Sequence, residues 1–536
     1  MAMLPRWWQN GVIYQIYPRS FGDASGDGVG DLRGITGRLD YLSWLGVDAV
    51  WISPFYRSPM ADFGYDVADH TDVDRLFGSL ADFDALLAEA NRRNIRVIVD
   101  FVPNHTSDQH RWFVASRSSR RDPKRTWYVW RGPRPDGSPP NNWISMFGGS
   151  AWEWDAASGQ YYLHSFLKEQ PDLDWRNPEV GAAMRDVLRF WLDRGVAGFR
   201  IDVANFVAKD PALRDNPPNP NPAELAHLGQ WSQQLHLYDH GHPDFHGIYR
   251  DIRRLVDSYP GDRTTLGELH HPDLDVWAGY YGENLDEIHM PFNFHLLHAK
   301  WDAPTVQGVV NAVVAALPPG AWANWVLGNH DQPRIVSRIG AAQAPVAMTL
   351  LLTLPGAPTI YYGDELGMPN GVIPPELTRD PWGMTEPAQG RDPERTPMEW
   401  DASANAGFCP ADVQPWLPLA PGWQRRNVAF QQADAASLLN LTRRLLTLRR
   451  TTPALAHGRY VPLDHNPTDV VAYARRAGES ADVLVALNLG GASPTMHIER
   501  RSHVLVGTDP SRSGERLDRS FELRPHEAVV AALGDD

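Results

Sequence analysis

The strongest constraint on this chain is a rhythm of eight short apolar runs, rich in β-branched and aromatic residues, with helical patterns between several of them. They read VIYQIYP from Val12, AVWISP from Ala49, RVIVDFV from Arg96, GFRIDV from Gly198, TTLGEL from Thr264, EIHMPFNF from Glu287, NWVLGNHD from Asn324 and PTIYYGDE from Pro358. Between the second and third lies LADFDALLAEANRRN, with apolar residues at helical spacing. Before the fourth, EVGAAMRDVLRFWLDRG is a second amphipathic helix, closed by a glycine. Strands that alternate with helices form parallel sheets, and eight of them read as an α/β chain closed into a (β/α)8 TIM barrel. In that architecture the reactive groups collect at the C-terminal ends of the strands.

Three segments break the rhythm. Residues 104–171, after the third run, are rich in Arg, Trp, Gly and Pro and predict an inserted, loop-rich domain. Residues 366–423 are Pro-rich and irregular. Loops of this length inside a folded domain usually serve function. The runs DVVAYARR, DVLVALNL and AVVAAL predict a C-terminal antiparallel β-sandwich over residues 456–536, which leaves residues 1–103 and 172–455 to the barrel. A formal charge of -15 argues against nucleic-acid partners and anionic membrane surfaces. A small neutral substrate fits that balance better. One cysteine, Cys409, excludes an intrachain disulfide. The stretch MAMLPRWWQNGVIY lacks the apolar core of a signal peptide and no run of membrane-spanning length occurs, so the expectation is a cytoplasmic enzyme.

The barrel reading demands that acidic residues close the strands. GFRIDV carries Asp202, TTLGEL carries Glu268 and VLGNHD carries Asp331, each after an apolar run at the predicted catalytic face. Like charges brought together raise one another's pKa, and a cost of that kind points to chemistry.

GFRIDVANFVAKD, GEL, NHDQPR, DFVPNHTS and QPDLDW resemble the ordered signature regions of the alpha-amylase family of retaining glycoside hydrolases. QPDLDW and RTPMEW resemble its oligo-alpha-glucosidase branch, which includes transglucosylases acting on sucrose and maltose. The resemblance extends over nearly the whole chain. It implies that Asp202 is the nucleophile, Glu268 the general acid and then base, and Asp331 the stabiliser of the oxocarbenium-like sugar. Retaining chemistry needs this division of labour. Glu268 is expected to have a raised pKa, from burial and its carboxylate neighbours. Arg200, two residues before Asp202 and on the same strand face, is expected to hold the nucleophile ionised.

The same resemblance gives His105 and His330 as donors to the bound sugar's hydroxyls. Asp62 and Tyr65 would grip and stack under the terminal ring. Arg395 would close the pocket opposite Asp62, with Arg391 as a neighbour. Phe147, Phe166 and Gln170 would line the acceptor side. A pocket sealed by Asp62 and Arg395 implies exo-action on maltose-like oligosaccharides and small alpha-glucosides, with transfer to acceptor alcohols. Val203, directly after the nucleophile, resembles members that cleave alpha-1,6 bonds, so alpha-1,6 and sucrose action stand as alternatives to alpha-1,4. The resemblance also covers dead transporter subunits, but those lack the triad and carry a membrane helix.

Three further patterns stand apart from these motifs. HLYDHGHPDFH, from His236 to His246, offers several imidazoles without zinc spacing and reads as a solvated loop. RLDRS from Arg516 resembles a sucrose-isomerase motif but falls in the terminal β-domain. FGDASGDGVGDLRG, from Phe21, looks like an EF-hand loop with Gly34 in place of its final Glu. The family's metal loop matches it better: Asp23, Ser25, Asp27, the Val29 carbonyl and Asp31 would hold structural calcium, or magnesium with more waters. No organic cofactor is expected, and the chain is expected to act as a monomer or homodimer.

Overall fold

β1 (Ile13–Ile16), β2 (Ala49–Ile52), β3 (Arg96–Phe101), β4 (Gly198–Ile201), β5 (Thr264–Gly267), β6 (Met290–Asn293), β7 (Asn324–Val326) and β8 (Ala357–Tyr361) pair in parallel, each with its sequence neighbours. β8 returns to β1 and closes the barrel. All eight predicted runs form strands. They read as apolar runs without alternation because both faces of each strand are covered, by the barrel interior and by the surrounding helices. The computed structural model describes residues 6–463, 467–478 and 481–534, except for the side chains of residues 224, 226 and 227. Residues 1–5, at the head of the stretch read above for a signal peptide, lie outside it.

The two helices foreseen from their spacing are α1 (Leu80–Arg92) and α2 (Pro178–Arg194). α1 starts where the Ser79 side chain accepts from the Asp82 amide, and it buries Phe83, Leu86, Leu87 and Ala90. α2 starts on the Asn177 cap with proline in its first turn and stops at Gly195, whose φ of 104° no side-chain-bearing residue adopts cheaply. After β3, the strands Trp130–Arg131, Gln160–Leu163 and Trp152–Asp155 form a small antiparallel sheet. Near the C-terminus a six-stranded sheet includes Val470–Arg476, Val483–Asn488 and Ala528–Leu533. One of its faces shares a core with the two-stranded antiparallel sheet of Thr495–His497 and Ser520–Glu522. Its other face joins the core of the barrel helices. RLDRS falls at the edge of this sheet, as its position in the chain implied. Among the described residues no helix is long and apolar enough to cross a membrane.

The irregular stretch after β8 is stitched to the loop that leaves β1. The Asp23 amide donates to the Phe408 carbonyl at 2.9 Å, the Trp416 amide to the Gly28 carbonyl at 2.9 Å, and the Trp400 indole to the Phe21 carbonyl at 2.7 Å. Gly28 is required at this seam. Its φ is +88°, and a Cβ there would stand 2.2 Å from the Gln414 carbonyl oxygen. Gly28→Ala is expected to cost roughly 2 kcal/mol, from left-handed strain and the backbone clash. Urea unfolding measures it, and an unchanged midpoint would show that the seam gives way freely.

Candidate active site

Arg200 sits inside β4, two residues before Asp202, and is 1% exposed. Its Nη1 lies 2.6 Å from Asp202 Oδ1 and 2.8 Å from Asp100 Oδ1, and its Nη2 lies 2.6 Å from Glu268 Oε2. One guanidinium therefore joins carboxylates from β3 and from just beyond β4 and β5. Strand register brings them together: Asp100 pairs with Arg200 across β3 and β4, and Asp202 and Glu268 each follow directly on adjacent strand ends. Trp51 of β2 packs under the guanidinium at 4.9 Å and donates its indole N–H to Asp100 Oδ2 at 3.0 Å.

Val203 holds the next turn in a strained state. It is β-branched yet has φ 37° and ψ 54°, in the left-handed region. The turn aims its backbone N–H at Glu268 Oε2, 3.1 Å away. Strain of this kind persists only where the surroundings over-determine it, and such places cluster at active sites.

A second group of charges lies beside the first. Arg391 Nη2 lies 2.8 Å from Asp62 Oδ1 and 2.6 Å from Asp380 Oδ1, and its Nη1 lies 3.1 Å from Asp331 Oδ1. Arg395 Nη2 meets the same Asp331 oxygen at 2.6 Å. The direct partner of Asp62 is Arg391, expected as the neighbour of Arg395, while Arg395 reaches Asp331. The Asp62 side also receives Gln170, whose Nε2 lies 3.2 Å from Asp62 Oδ2 and 3.1 Å from His105 Nε2. Gln170 thus turns its amide to Asp62 and His105, two residues the resemblance gives as sugar contacts. Tyr65 Oη and Gln15 Nε2 clamp the two nitrogens of His330, each at 2.8 Å. Phe147 and Phe166 join Val203, Phe206 and Trp231 in an aromatic wall at the pit's edge.

Burial drives Asp202 well above the usual carboxylate range; Arg200 opposes this, while Glu268 and Asp100 add to it. Burial also works to raise Glu268, but Arg200 and then His270 overcome it and hold the group down at about 2. The sequence reading expected the opposite shift. It counted burial and acidic neighbours but not a guanidinium at 2.6 Å. Asp331 is only half-buried, its side chain 25% exposed; desolvation opposes its ionisation, yet His330, Arg391 and Arg395 hold it far below the usual range. Burial lowers His105 to about 4 and His330 to about 3, so both are neutral imidazoles near pH 7. Burial raises Asp62 to about 6 against the pull of Arg391.

The segment around His236 is solvated only in part: Leu237, Gly241, Pro243 and Asp244 are exposed, but the side chains around Asp239 are not. Asp239 Oδ2 lies 2.5 Å from His236 Nδ1 and Oδ1 lies 3.0 Å from His240 Nδ1, with all three side chains under 10% exposed. His236 stacks on Trp231 and His240 packs against Phe206, so a shared carboxylate and two aromatic faces offset the burial. Among the described residues no group of three or more His, Cys, Asp or Glu is set to hold a metal. The loop leaving β1 has an oxygen-only donor set suited to calcium. As placed, however, its carboxylates serve backbone amides. Asp23 accepts from Gly26 and Gly28, Asp27 from Val29, and Asp31 from Ala24, Ser25 and Gly34, while the Ser25 hydroxyl donates to Asp23.

The sequence reading passed over Asp100, Asp380 and His270. Asp100 left a signal, a lone acid inside the apolar run RVIVDFV; Asp380 lies in a stretch without periodicity and left none. A cavity of about 530 Å³ opens elsewhere, lined by Trp175, Val207, Lys209 and Arg250 among others, and borders none of the catalytic carboxylates. The clustered carboxylates, not the open volume, mark the site.

The family model for the alpha amylase catalytic domain matches residues 15–458. A probable alpha-glucosidase of Rhizobium meliloti (strain 1021) is 46% identical over 467 residues, covering 84% of each chain. An oligo-1,6-glucosidase of Heyndrickxia coagulans is 39% identical, covering 99% of this chain and 100% of its own. The crystal structure of the alpha-glucosyl transfer enzyme XgtA superposes with a TM-score of 0.92 at 41% identity, over 99% of this chain and 100% of that one.

Arg200→Met would leave three buried carboxylates without their cation, and is expected to cost about 3–5 kcal/mol, as for a broken buried ion pair. Pairing it with Asp100→Asn should recover part of that loss. Thermal unfolding of both variants measures it, and equal stability of Arg200→Met and wild type would refute the shared-cation account.

Proposed function

The chain belongs to the alpha-amylase family, and from that premise we propose that it is a retaining, exo-acting alpha-glucosidase that also transfers glucosyl groups to acceptor hydroxyls. The observation that carries the reading is the carboxylate cluster. Asp202 and Glu268 sit on adjacent strand ends, tied to one guanidinium, beside the ion-paired group of Asp62, Arg391 and Asp331. Ion pairs that close one end of the site would admit a terminal ring and not the middle of a polymer.

In the first step an Asp202 oxygen bonds to the anomeric carbon while the glycosidic C–O bond breaks. Its electron pair leaves with the aglycone oxygen, which takes the proton of Glu268. In the second, a water or acceptor hydroxyl gives its proton to Glu268 and its oxygen replaces Asp202 on the same carbon. Two inversions give net retention. Arg200 favours the ionised nucleophile. Asp331, kept anionic by His330, Arg391 and Arg395, offsets the positive charge that develops on the ring. Asp202 and Glu268 answer to one cation and titrate as a pair; their surroundings favour the proton on Asp202, so the chemistry draws on the less populated form in which the pair's proton is on Glu268. Neutral His105 and His330 stand beside the carboxylates, and a sugar hydroxyl reaching their ring nitrogens would displace Gln170 from His105 or Tyr65 from His330; the wall of Phe147, Phe166 and Phe206 would face the acceptor.

The substrates this reading selects are maltose-like oligosaccharides and small alpha-glucosides. Alpha-1,6 action is a second reading, favoured by Val203 and by the oligo-1,6-glucosidase among the relatives. The single cysteine suits a cytoplasmic setting.

Turnover of 4-nitrophenyl alpha-glucoside by wild type, lost in Asp202→Asn, is the expected first result. With maltose, isomaltose and sucrose followed by NMR, the first-formed glucose should be the alpha-anomer. Beta-glucose would exclude the double displacement, and the panel reads the linkage preference directly. A structural calcium at Asp23, Asp27 and Asp31 is a separate proposal, since the ion would have to draw these carboxylates off the amides they now serve. Chelation with EDTA should then lower Tm and calcium restore it, with the chemistry of the pit untouched. Equal Tm values would leave the loop held by its own hydrogen bonds.

A further inference from the structure

Glu268 has two carboxylate oxygens in unlike settings. Oε2 is taken by Arg200 Nη2 at 2.6 Å and the Val203 amide at 3.1 Å. Oε1 faces the imidazole of His270, with Nε2 3.3 Å away. His270 follows Glu268 by two residues, and its ring lies on Phe294, just beyond β6, at 4.8 Å and 24°. The Glu268 side chain is 3% exposed and that of His270 is 29% exposed. The histidine thus stands between the buried acid and the mouth of the pit, with an aromatic face fixing its plane.

We propose that His270 is a positioning residue for the general acid, presenting Nε2–H to Oε1 so that the carboxylate left after proton delivery is held in place. The proposal rests on the reading of Glu268 as that acid. When the glycosidic bond breaks, the Oε1 proton goes to the leaving oxygen and the Oε1 charge is met by the His270 donor. In the second step the water or acceptor hydroxyl returns a proton to Oε1, and His270 ends as it began. A donor aimed at the ionised form strengthens the acid and narrows the pH range over which it stays protonated.

The other charged groups that face Glu268 do not reproduce this arrangement. Arg200, from β4, also favours the carboxylate, but from the Oε2 side and shared with Asp202 and Asp100. Asp202 and, from beyond β7, Asp331 oppose ionisation. His330, beside Asp331, is neutral near pH 7. His270 is the partner on Oε1 that reaches toward solvent.

The experiment compares kcat/KM against pH for wild type, His270→Leu, His270→Gln and Glu268→Ala, each on a glucosyl disaccharide and on alpha-glucosyl fluoride. Fluoride departs with little help from an acid, so that substrate bypasses the proton of Glu268. On the disaccharide, His270→Leu should move the alkaline limb up by about one pH unit, the worth of one hydrogen bond to a charged group. Its plateau should fall roughly tenfold as the acid weakens. His270→Gln keeps a neutral N–H and should stay nearer wild type, and it serves if the leucine variant does not fold. On the fluoride, His270→Leu should keep the wild-type profile. Equal effects on both substrates, or none on either, would overturn the proposal. Glu268→Ala separates the two layers. If it fails to spare the fluoride, Glu268 is not the acid and both readings fall; if it spares the fluoride while His270→Leu moves nothing, only the role of His270 falls.

Discussion

Everything at this site depends on one buried cation. Arg200 sits inside a barrel strand at 1% exposure, where an unpaired guanidinium would be prohibitively costly. It is tolerated because Asp100, Asp202 and Glu268 surround it, and they are tolerated because it is there. The barrel makes the arrangement possible, since adjacent parallel strands end at the same level and deliver their terminal side chains to one point. Four charges in a dry site are poor evidence for stability, because apolar residues of similar volume would pack as well or better. Their presence is better explained by chemistry that needs two carboxylates with unlike proton affinities.

The second group of charges repeats the logic. Arg391 is shared by Asp62, Asp380 and Asp331, and Arg395 meets Asp331 from another side. Both arginines come from the irregular stretch after β8, which is itself stitched to the loop leaving β1. The Gly28 seam, far from the reacting atoms, thus helps set where these arginines stand. The remaining strain is local. Val203 accepts a left-handed conformation, and in return its amide points at Glu268.

Much of this was legible before any coordinates. The eight runs named eight strands, and Asp202 and Glu268 stood where a barrel strand hands over to its loop. The family motifs then attached roles to them. Three details were not legible. The sequence reading set Arg395 opposite Asp62 with Arg391 as its neighbour, and a motif does not say which of two nearby arginines meets Asp62 directly. It grouped Gln170 with the phenylalanines because all three lie in the inserted segment, although the Gln170 amide turns to Asp62 and His105. It raised the pKa of Glu268 because burial and acidic neighbours follow from position along the chain, while the placement of one guanidinium nitrogen does not.

The sequence by itself determined the barrel, the order of its strands and the identity of the carboxylates at their ends. Periodicity and strand-end position are local properties, and they survive without knowledge of what packs against what. Tertiary structure alone decided which cation each carboxylate meets, that Asp239 buries two histidines read as solvated, and that His270 faces the free oxygen of Glu268. Those outcomes turn on distances of a few ångströms between residues tens to hundreds of positions apart, or on which way a single ring turns. Electrostatic energy in a dry site changes steeply over such distances.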